Sequence, residues 1–176
     1  MLIDWNSKFN LTAITEINEI IEYHFTDSLM VAHCPQFKNG NCIGDVGTGA
    51  GFPAIPVKIK YPDRAMVLIE VNQKKITFLQ QVIAELGLDK IEICDLDWRN
   101  FLRKTDYKID MFVARAALRP EELLYAFKPK SPYKYACIVY WAAKSWKPTP
   151  IQESYIAQII PYAVGDKERK LVILTN

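Results

Sequence analysis

A glycine-rich turn is the feature that most constrains the fold. Residues 45–53 read DVGTGAGFP, with Gly47, Gly49 and Gly51 lying between a short apolar run and an amphipathic one. Glycine permits a tight turn and a close approach of the backbone to a ligand, because it has no Cβ. Such a turn between a strand and a helix is typical of a βαβ unit. We therefore expect a sheet whose first crossover begins at this turn.

The rest of the chain alternates between strand-like and helix-like stretches. Strand character covers residues 41–46, 66–71, 90–94, 109–114, 136–143 and 169–175. Helical character covers residues 16–33, 51–61, 73–86 and 120–127, while residues 151–162 fit either structure. This alternation predicts a mostly parallel α/β sheet that binds ligands beyond the carboxyl ends of its strands. No linker or repeat divides the chain, so one domain over residues 1–176 is expected.

Composition and spacing exclude several classes of protein. There is no apolar run of about 18 residues and no signal-peptide pattern at the start, so we expect neither a membrane span nor secretion. The cysteines and histidines lack metal-ligand spacing, so free thiols in a cytoplasmic protein without a metal site are expected. The cysteines are Cys34, Cys42, Cys94 and Cys137, and the histidines are His24 and His33.

The charge is distributed unevenly along the chain. The formal net charge is +2. Residues 1–98 hold 8 Lys and Arg against 13 Asp and Glu, whereas residues 99–150 hold 11 against 4. The central segment is therefore basic by +7 and could attract a polyanion, although a basic run can also be only a solvated face.

The glycine turn has the pattern acid-x-G-x-G, starting at Asp45. It does not match the dinucleotide pattern G-x-G-x-x-G, because Gly51 comes one residue early. The pattern is typical of S-adenosylmethionine (SAM) sites, where Asp45 could serve the ammonium group directly or through water. Glu70, at the end of the second strand, can accept hydrogen bonds from ribose hydroxyls, as NAD would also require. Trp98 follows the third strand, near the expected position of an adenine.

Six stretches together resemble one family. They are 5-WNSKFNLTAI-14, 24-HFTDSL-29, 45-DVGTGAGFPAIP-56, 69-IEVNQKKITFL-79, 114-ARA-116 and 168-ERKLVIL-174. The chain is similar to the RsmG (GidB) family of bacterial 16S ribosomal RNA guanine-N7 methyltransferases. The N-L-T and H-x-x-D-S-L stretches are more specific than the glycine turn, which many other methyltransferases share.

The resemblance implies a class I SAM-dependent methyltransferase fold, Rossmann-like, with a mostly parallel seven-stranded sheet flanked by helices. It divides the chain into a helical, substrate-side segment (1–40) and a SAM-binding core (41–176). The implied cofactor contacts are Asp45, Gly47, Gly49, Gly51, Phe52, Glu70, Trp98, Arg99 and Arg115. The implied substrate contacts are Asn10, His24, Asp27, Ser28, Arg115 and Lys144.

The implied reaction methylates N7 of a guanosine in a 16S loop near the decoding region, with SAM converted to S-adenosylhomocysteine. Guanine N7 carries an in-plane lone pair and no proton, so alignment is sufficient and no general base is expected. The implied partner is 16S RNA or the 30S subunit, and a monomer is expected. The +7 segment would then hold the RNA backbone.

The sequence departs from the family pattern at several places. Members usually carry an additional helix before W-N, and the usual R-A-E reads Asp97-Trp98-Arg99 here. The usual glycine after Lys144 is Ser145. These departures favour one alternative, a SAM- or RNA-binding module with weak or lost activity. Two others stay open: a small-molecule SAM-dependent methyltransferase, which shares the stretch from Asp45 to Glu70, and an NAD-dependent oxidoreductase, which the glycine spacing disfavours.

Overall fold

A computed structural model describes residues 1–176. Its strands are β1 (Cys42–Val46), β2 (Ala65–Ile69), β3 (Ile91–Cys94), β4 (Met111–Arg115), β5 (Cys137–Ala143), β6 (Ile156–Val164) and β7 (Lys167–Leu174). They form one seven-stranded sheet in the order β3-β2-β1-β4-β5-β7-β6. The first five strands are parallel, and β7 is antiparallel to β5 and β6. The strand order reverses between β1 and β4, so the carboxyl ends of these two strands border the crevice in which such sheets bind ligands.

The helices lie before the sheet and in its crossovers. They are α1 (Leu2–Phe9), α2 (Ile17–Ile20), α3 (Asp27–Leu29), α4 (Pro35–Asn39), α5 (Ala54–Lys60), α6 (Gln73–Glu85), α7 (Trp98–Lys104), α8 (Pro120–Leu123) and α9 (Pro150–Glu153). A π-helical turn (Ile21–Thr26) joins α2 to α3, and 3₁₀ turns follow α3 (Met30–His33) and α8 (Leu124–Phe127). None of these helices combines the length and the apolar character that a bilayer crossing requires.

Local chemistry explains where the crossover helices begin and end. The Asn72 side chain accepts hydrogen bonds from the backbone of Lys74 and Lys75 and so caps the start of α6. Gly87 follows α6 with φ +57°, a conformation that glycine adopts without strain. The Asp97 side chain accepts from the Asn100 N–H and caps α7. These caps satisfy backbone N–H groups that have no partner within the helix.

The sheet separates two hydrophobic layers. On one face, α5, α6 and the N-terminal helices pack against inward side chains of the strands, including Leu68, Met111 and Val139. On the other face, α7, α8 and the 3₁₀ turn after it pack against Phe112 and Ile138. Because both faces are covered, the central strands are mostly apolar rather than alternating, and Asp45 in β1 is a buried exception.

The structure confirms the predicted mostly parallel sheet and every strand expected from the sequence, with ends shifted by one or two residues. The ambiguous stretch 151–162 divides between α9 and β6. The helix expected over 16–33 is present, but it contains the π-helical turn. Periodicity did not predict that turn, because one extra residue barely alters the apolar spacing.

Candidate functional site

The glycine turn adopts the conformations that its sequence suggested. Gly47, Gly49 and Gly51 have φ of +63°, +62° and +87°. A Cβ on Gly47 would lie 2.6 Å from the Ala117 Cβ, and one on Gly51 would lie 2.4 Å from Ile55 Cγ1. A Cβ on Gly49 would meet only a backbone oxygen, at 3.9 Å. Two of the glycines therefore allow close packing inside the protein, while space is left open at Gly49.

Asp45 lies at the carboxyl end of β1 and is buried, with 1% of its surface exposed. Its Oδ2 accepts hydrogen bonds from Thr48 Oγ1 (2.6 Å) and the Ala54 N–H (3.1 Å). Its Oδ1 is buried without a partner in the protein. Burial raises the pKa of the Asp45 carboxyl to about 6, although the two hydrogen bonds lower it. The site thus contains a buried acceptor that a ligand donor could satisfy.

Glu70 follows β2 and connects that strand to the glycine turn. Its Oε2 accepts from the Gly49 N–H (3.0 Å), and its Oε1 accepts from the N–H groups of Val71 and Asn72 (both 2.9 Å). A carboxylate offers about four lone-pair positions, so one acceptor position remains. Glu70 therefore lies at the end of the second strand, as predicted, and it holds the turn in place.

Trp98 and Arg99 point in different directions. The Trp98 side chain is 5% exposed and packs against Phe112, and its Nε1 donates to the Glu122 carbonyl (2.8 Å). Its indole therefore belongs to the core, which the sequence alone could not distinguish from an adenine contact. Arg99 is exposed, with its guanidinium 5.5 Å from the centroid of the Tyr125 ring.

His24 connects the two N-terminal stretches that carried the resemblance. Its Nε2 lies 2.7 Å from Thr12 Oγ1, and its Nδ1 lies 3.0 Å from Arg115 Nη2. Because arginine only donates, Nδ1 accepts and Nε2 carries the proton. The ring stacks on Phe52 at 4.6 Å between centroids. Burial, and next the Arg115 charge, lower the pKa of His24 to about 4, so the imidazole is neutral at pH 7.

Arg115 ends β4 and is nearly enclosed, with 11% of its side chain exposed. Its Nη1 donates to the Tyr23 carbonyl (2.9 Å) and to Asp27 Oδ2 (3.2 Å). Its guanidinium lies 5.3 Å from the centroid of the Phe52 ring. Burial lowers the pKa of Arg115 and the Asp27 charge raises it. The charge is therefore paired within the protein, and its partners come from the helical stretch 17–33.

Asp27 is fully buried and lies at the centre of an ion-pair network. Its carboxylate accepts from Arg115, from Arg169 Nη1 (3.1 Å) and from the Tyr162 hydroxyl (2.6 Å). Its carbonyl accepts from Trp141 Nε1 (3.1 Å). The burial of Tyr162 and its bond to Asp27 raise the pKa of that phenol. Asp27 therefore joins the helical stretch 17–33 to β4, β6 and β7 and has no surface to offer a substrate.

The other predicted substrate residues do not gather in one pocket. Ser28 is buried and donates to the His24 carbonyl (2.5 Å), so it stabilises the turn that carries His24. Asn10 ends α1 with φ +50° and borders a cleft of about 360 Å³ between α1 and the following loop. Lys144 follows β5, is exposed, and forms an ion pair with Glu168 of β7.

Several residues of the site were not singled out by sequence reasoning. Thr12 and Thr48 bond directly to His24 and Asp45, while Tyr162 and Arg169 complete the Asp27 network. Thr12 lies in the N-L-T stretch and Arg169 lies in 168-ERKLVIL-174. Both residues were therefore part of the resemblance, but neither was assigned a role. Tyr162 lies in residues 151–162, which fitted either a helix or a strand, so the sequence did not predict which way its side chain points.

One group of predicted residues is brought together at the carboxyl edge of β1 and β4. Asp45, the glycine turn, Phe52, His24 and Arg115 meet there and combine a buried acceptor, an aromatic wall and a fixed cation. Both nitrogens of His24 are occupied by hydrogen bonds, so the imidazole is not available to remove a proton. The arrangement can bind and orient a polar ligand, and its imidazole is not a free general base.

Comparison with known protein families gives a match over most of the chain. The sequence model of the GidB family, described as rRNA small subunit methyltransferase G, matches residues 1–145. The match does not include residues 168–174, which had been part of the resemblance.

Two curated relatives carry the name Ribosomal RNA small subunit methyltransferase G. The protein from Lachnoclostridium phytofermentans is 46% identical over 125 residues, 70% of this chain and 52% of the relative. That from Thermoanaerobacter sp. strain X514 is 44% identical over 118 residues, 66% of this chain and 49% of the relative. The chain thus spans about half the length of the curated relatives it matches.

A solved structure shows the fold independently of sequence similarity. The magnesium protoporphyrin IX methyltransferase of Synechocystis PCC 6803, solved with bound SAM, superposes with a TM-score of 0.63 at 15% identity. The superposition covers 99% of this chain and 95% of the other. The expected class I methyltransferase fold is therefore confirmed. With a family match over residues 1–145 and close relatives of one name, the chain belongs to the GidB family, rRNA small subunit methyltransferase G.

Proposed function

We propose that this chain methylates N7 of a guanosine in 16S ribosomal RNA, in the loop near the decoding region, with SAM as methyl donor. The observation that carries the proposal is the assembly at the carboxyl edge of β1 and β4. A buried acceptor on Asp45, the open backbone at Gly49 and the His24–Arg115 pair meet there in a chain of the GidB family. A ribosomal substrate would place the chain in the cytoplasm, acting on free 16S RNA or the 30S subunit, and we propose that it acts as a monomer.

The residues at the glycine turn fit SAM. The unpartnered Oδ1 of Asp45 suits a cationic donor such as the ammonium of the amino-acid end. The remaining acceptor position of Glu70 suits a ribose hydroxyl. The backbone of Gly47, Gly49, Gly51 and Phe52 would border the cofactor, since space is open at Gly49. Trp98 and Arg99 would border the adenine through the backbone, because the indole is packed in the core.

When bound, SAM supplies a methyl group already activated by its sulfonium. The chain therefore has to bind and orient the guanine and exclude water from the site. The neutral and doubly hydrogen-bonded His24 is consistent with a reaction that needs no proton acceptor. Arg115 would stabilise the pocket and contact the base at O6 or a phosphate with an N–H group not used by Tyr23, His24 or Asp27, since a donor on N7 would block the reaction.

We propose that residues 1–40 form the substrate side of a single methyltransferase domain. Thr12 and His24 reach the pocket from this segment, while Asn10 and Lys144 lie further out and would contact RNA outside it. Asp27 and Ser28 would act indirectly, by fixing the turn that carries His24.

The test is transfer of labelled methyl from SAM to 30S subunits and to protein-free 16S RNA from a strain that lacks N7-methylguanosine in 16S RNA. We expect incorporation with the parent chain and none with Gly47→Arg, because a side chain there would meet Ala117. Thermal unfolding of the variant shows whether it is folded. SAM binding without transfer to either substrate would contradict the proposal and favour a binding module.

A further inference from the structure

A concave surface separate from the glycine turn carries an unusual set of charges. A cleft of about 470 Å³ lies between α7 and the chain that follows the 3₁₀ turn after α8. We call it the basic cleft; its lining residues are Arg99, Leu102, Arg103, Tyr125, Lys128, Lys130 and Ser131. Four of the seven are cations, and none is an acid.

The four cations of the basic cleft have no ion-pair partner. The ion pairs of the chain join other residues, and none includes Arg99, Arg103, Lys128 or Lys130. Arg103 donates to the Asn100 side-chain oxygen (2.9 Å), which is neutral. Hydrogen bonds from Asn100 lower the pKa of Asp97 and the nearby Arg103 charge contributes, so one of the four charges is partly compensated. Four cations without an ion-pair partner on one concave surface still raise the local positive potential and attract an anion.

Tyr125 holds two of these cations together. The Arg99 guanidinium and the Lys128 ammonium lie 5.5 Å and 4.3 Å from the centroid of its ring. Cation–π attraction offsets part of their mutual repulsion without neutralising either charge. The two cations come from different elements, α7 and the segment after the 3₁₀ turn, so their convergence is a result of folding. A basic run along one solvated helix would not produce it.

The shape and charge of the basic cleft fit an extended polyanion better than a single small anion. Four cations around about 470 Å³ exceed what one phosphate requires, and Arg with Lys is the common combination for phosphate oxygens of nucleic acid. The cleft also accounts for four of the cations in the +7 central segment.

We propose that the basic cleft binds the phosphate backbone of RNA, as an attachment surface additional to the pocket at β1 and β4. The inference rests on the proposed function in taking RNA as the substrate. Phosphate contacts fix position without reading sequence, so the cleft would hold the RNA while a base enters the pocket. Its contribution should be sensitive to salt, since each neutralised phosphate releases counterions.

The experiment measures binding of a fluorescein-labelled 20-nucleotide oligouridylate by anisotropy over a series of salt concentrations. The test variant is Arg103→Gln/Lys128→Gln/Lys130→Gln, which leaves Arg99 in place because of its proposed place beside the cofactor. The control variant is Lys38→Gln/Lys60→Gln/Lys90→Gln, an equal loss of charge at exposed positions near the amino ends of β1, β2 and β3. SAM binding by calorimetry and thermal unfolding verify that each variant is folded.

We expect the test variant to bind at least about tenfold more weakly at low salt. The slope of log affinity against log salt should also become smaller by about 2, because each phosphate contact on a single strand contributes roughly 0.7 to the slope and three contacts are removed. The control should retain the parent's slope. An unchanged slope in the test variant, or equal losses in both variants, would overturn the inference, as would absence of RNA binding by the parent. If the parent binds RNA but transfers no methyl, and the test variant shows the expected loss of RNA affinity, the inference is kept and the proposed function is rejected.

Discussion

At the scale of single residues, Asp27 shows how a predicted contact can have a different role. The family pattern places it at the substrate, but the folded chain surrounds its carboxylate with Arg115, Arg169 and Tyr162. Its carboxylate is fully buried and forms ion pairs with Arg115 and Arg169, so it compensates both of these charges. The residue is therefore structural, and its effect on the site passes through Arg115 and His24.

Asp27→Asn should lower the free energy of unfolding by about 3 kcal/mol, because removing one partner of a buried ion pair leaves the other charges uncompensated. Urea unfolding of the parent and the variant measures the difference. Asp4→Asn is the matched control, since its carboxylate is 68% exposed and its pair with Lys8 contributes little. A loss below about 1 kcal/mol for Asp27→Asn would contradict the assigned role.

The buried carboxyl of Asp45 gives a second prediction at this scale. Its pKa of about 6 means that it is mostly protonated at pH 5 and mostly ionised at pH 7. If the ionised form binds the SAM ammonium, the dissociation constant for SAM should be about tenfold larger at pH 5 than at pH 7, because only the ionised fraction is competent. The pKa of His24, about 4, lies below this range.

Calorimetric titration with SAM at the two pH values measures the effect. Asp45→Asn is the control, because the amide cannot titrate: it should bind more weakly at pH 7 and show no such pH dependence. The same pH dependence in the parent and in Asp45→Asn would show that another group is responsible.

At the scale of elements, the turns carry more of the site than the strands do. The glycine turn was predicted because its three glycines and leading acid are visible in the sequence, directly after a short and mostly apolar strand. The π-helical turn that carries His24 was not predicted, because one extra residue barely alters the apolar spacing. The contacts of His24 with Phe52 and Arg115 join distant parts of the chain, which local patterns do not show. π turns occur often at functional sites, which agrees with the position of this one.

Gly47 and Gly87 form a matched pair for testing the glycine turn. Both have φ near +60°, but a Cβ on Gly87 would meet nothing within 4 Å, whereas one on Gly47 would lie 2.6 Å from the Ala117 Cβ. Gly87→Ala should cost about 1 kcal/mol from backbone strain alone. Gly47→Ala should cost about 1–3 kcal/mol more from overpacking, and it should also weaken SAM binding.

Denaturant unfolding together with SAM calorimetry separates the two effects. Gly87→Ala should bind SAM as the parent does, because it ends α6 away from the glycine turn. Equal stability losses in the two variants, with SAM binding intact in both, would mean that close packing at Gly47 is not important for the turn.

At the scale of the whole molecule, the N-terminal helices and the sheet form one connected unit. The bonds of Asp27 join residues more than 80 positions apart, and Tyr23 reaches Asp166 at the turn between β6 and β7 (2.5 Å). Sequence patterns predicted the order of elements and the parallel sheet, since periodicity and glycine placement are local properties. They could not predict this network or the basic cleft, which depend on which distant side chains meet.

The measurement that most directly tests the account identifies the methylated atom and nucleotide. Unmethylated 16S RNA or 30S subunits are incubated with the chain and SAM, and the product is analysed by nucleoside mass spectrometry and primer extension. We expect a single N7-methylguanosine in the loop near the decoding region, absent when Gly47→Arg replaces the parent. A methyl group on another atom or in another region of the RNA, or an unmethylated product from a chain that binds SAM, would contradict it.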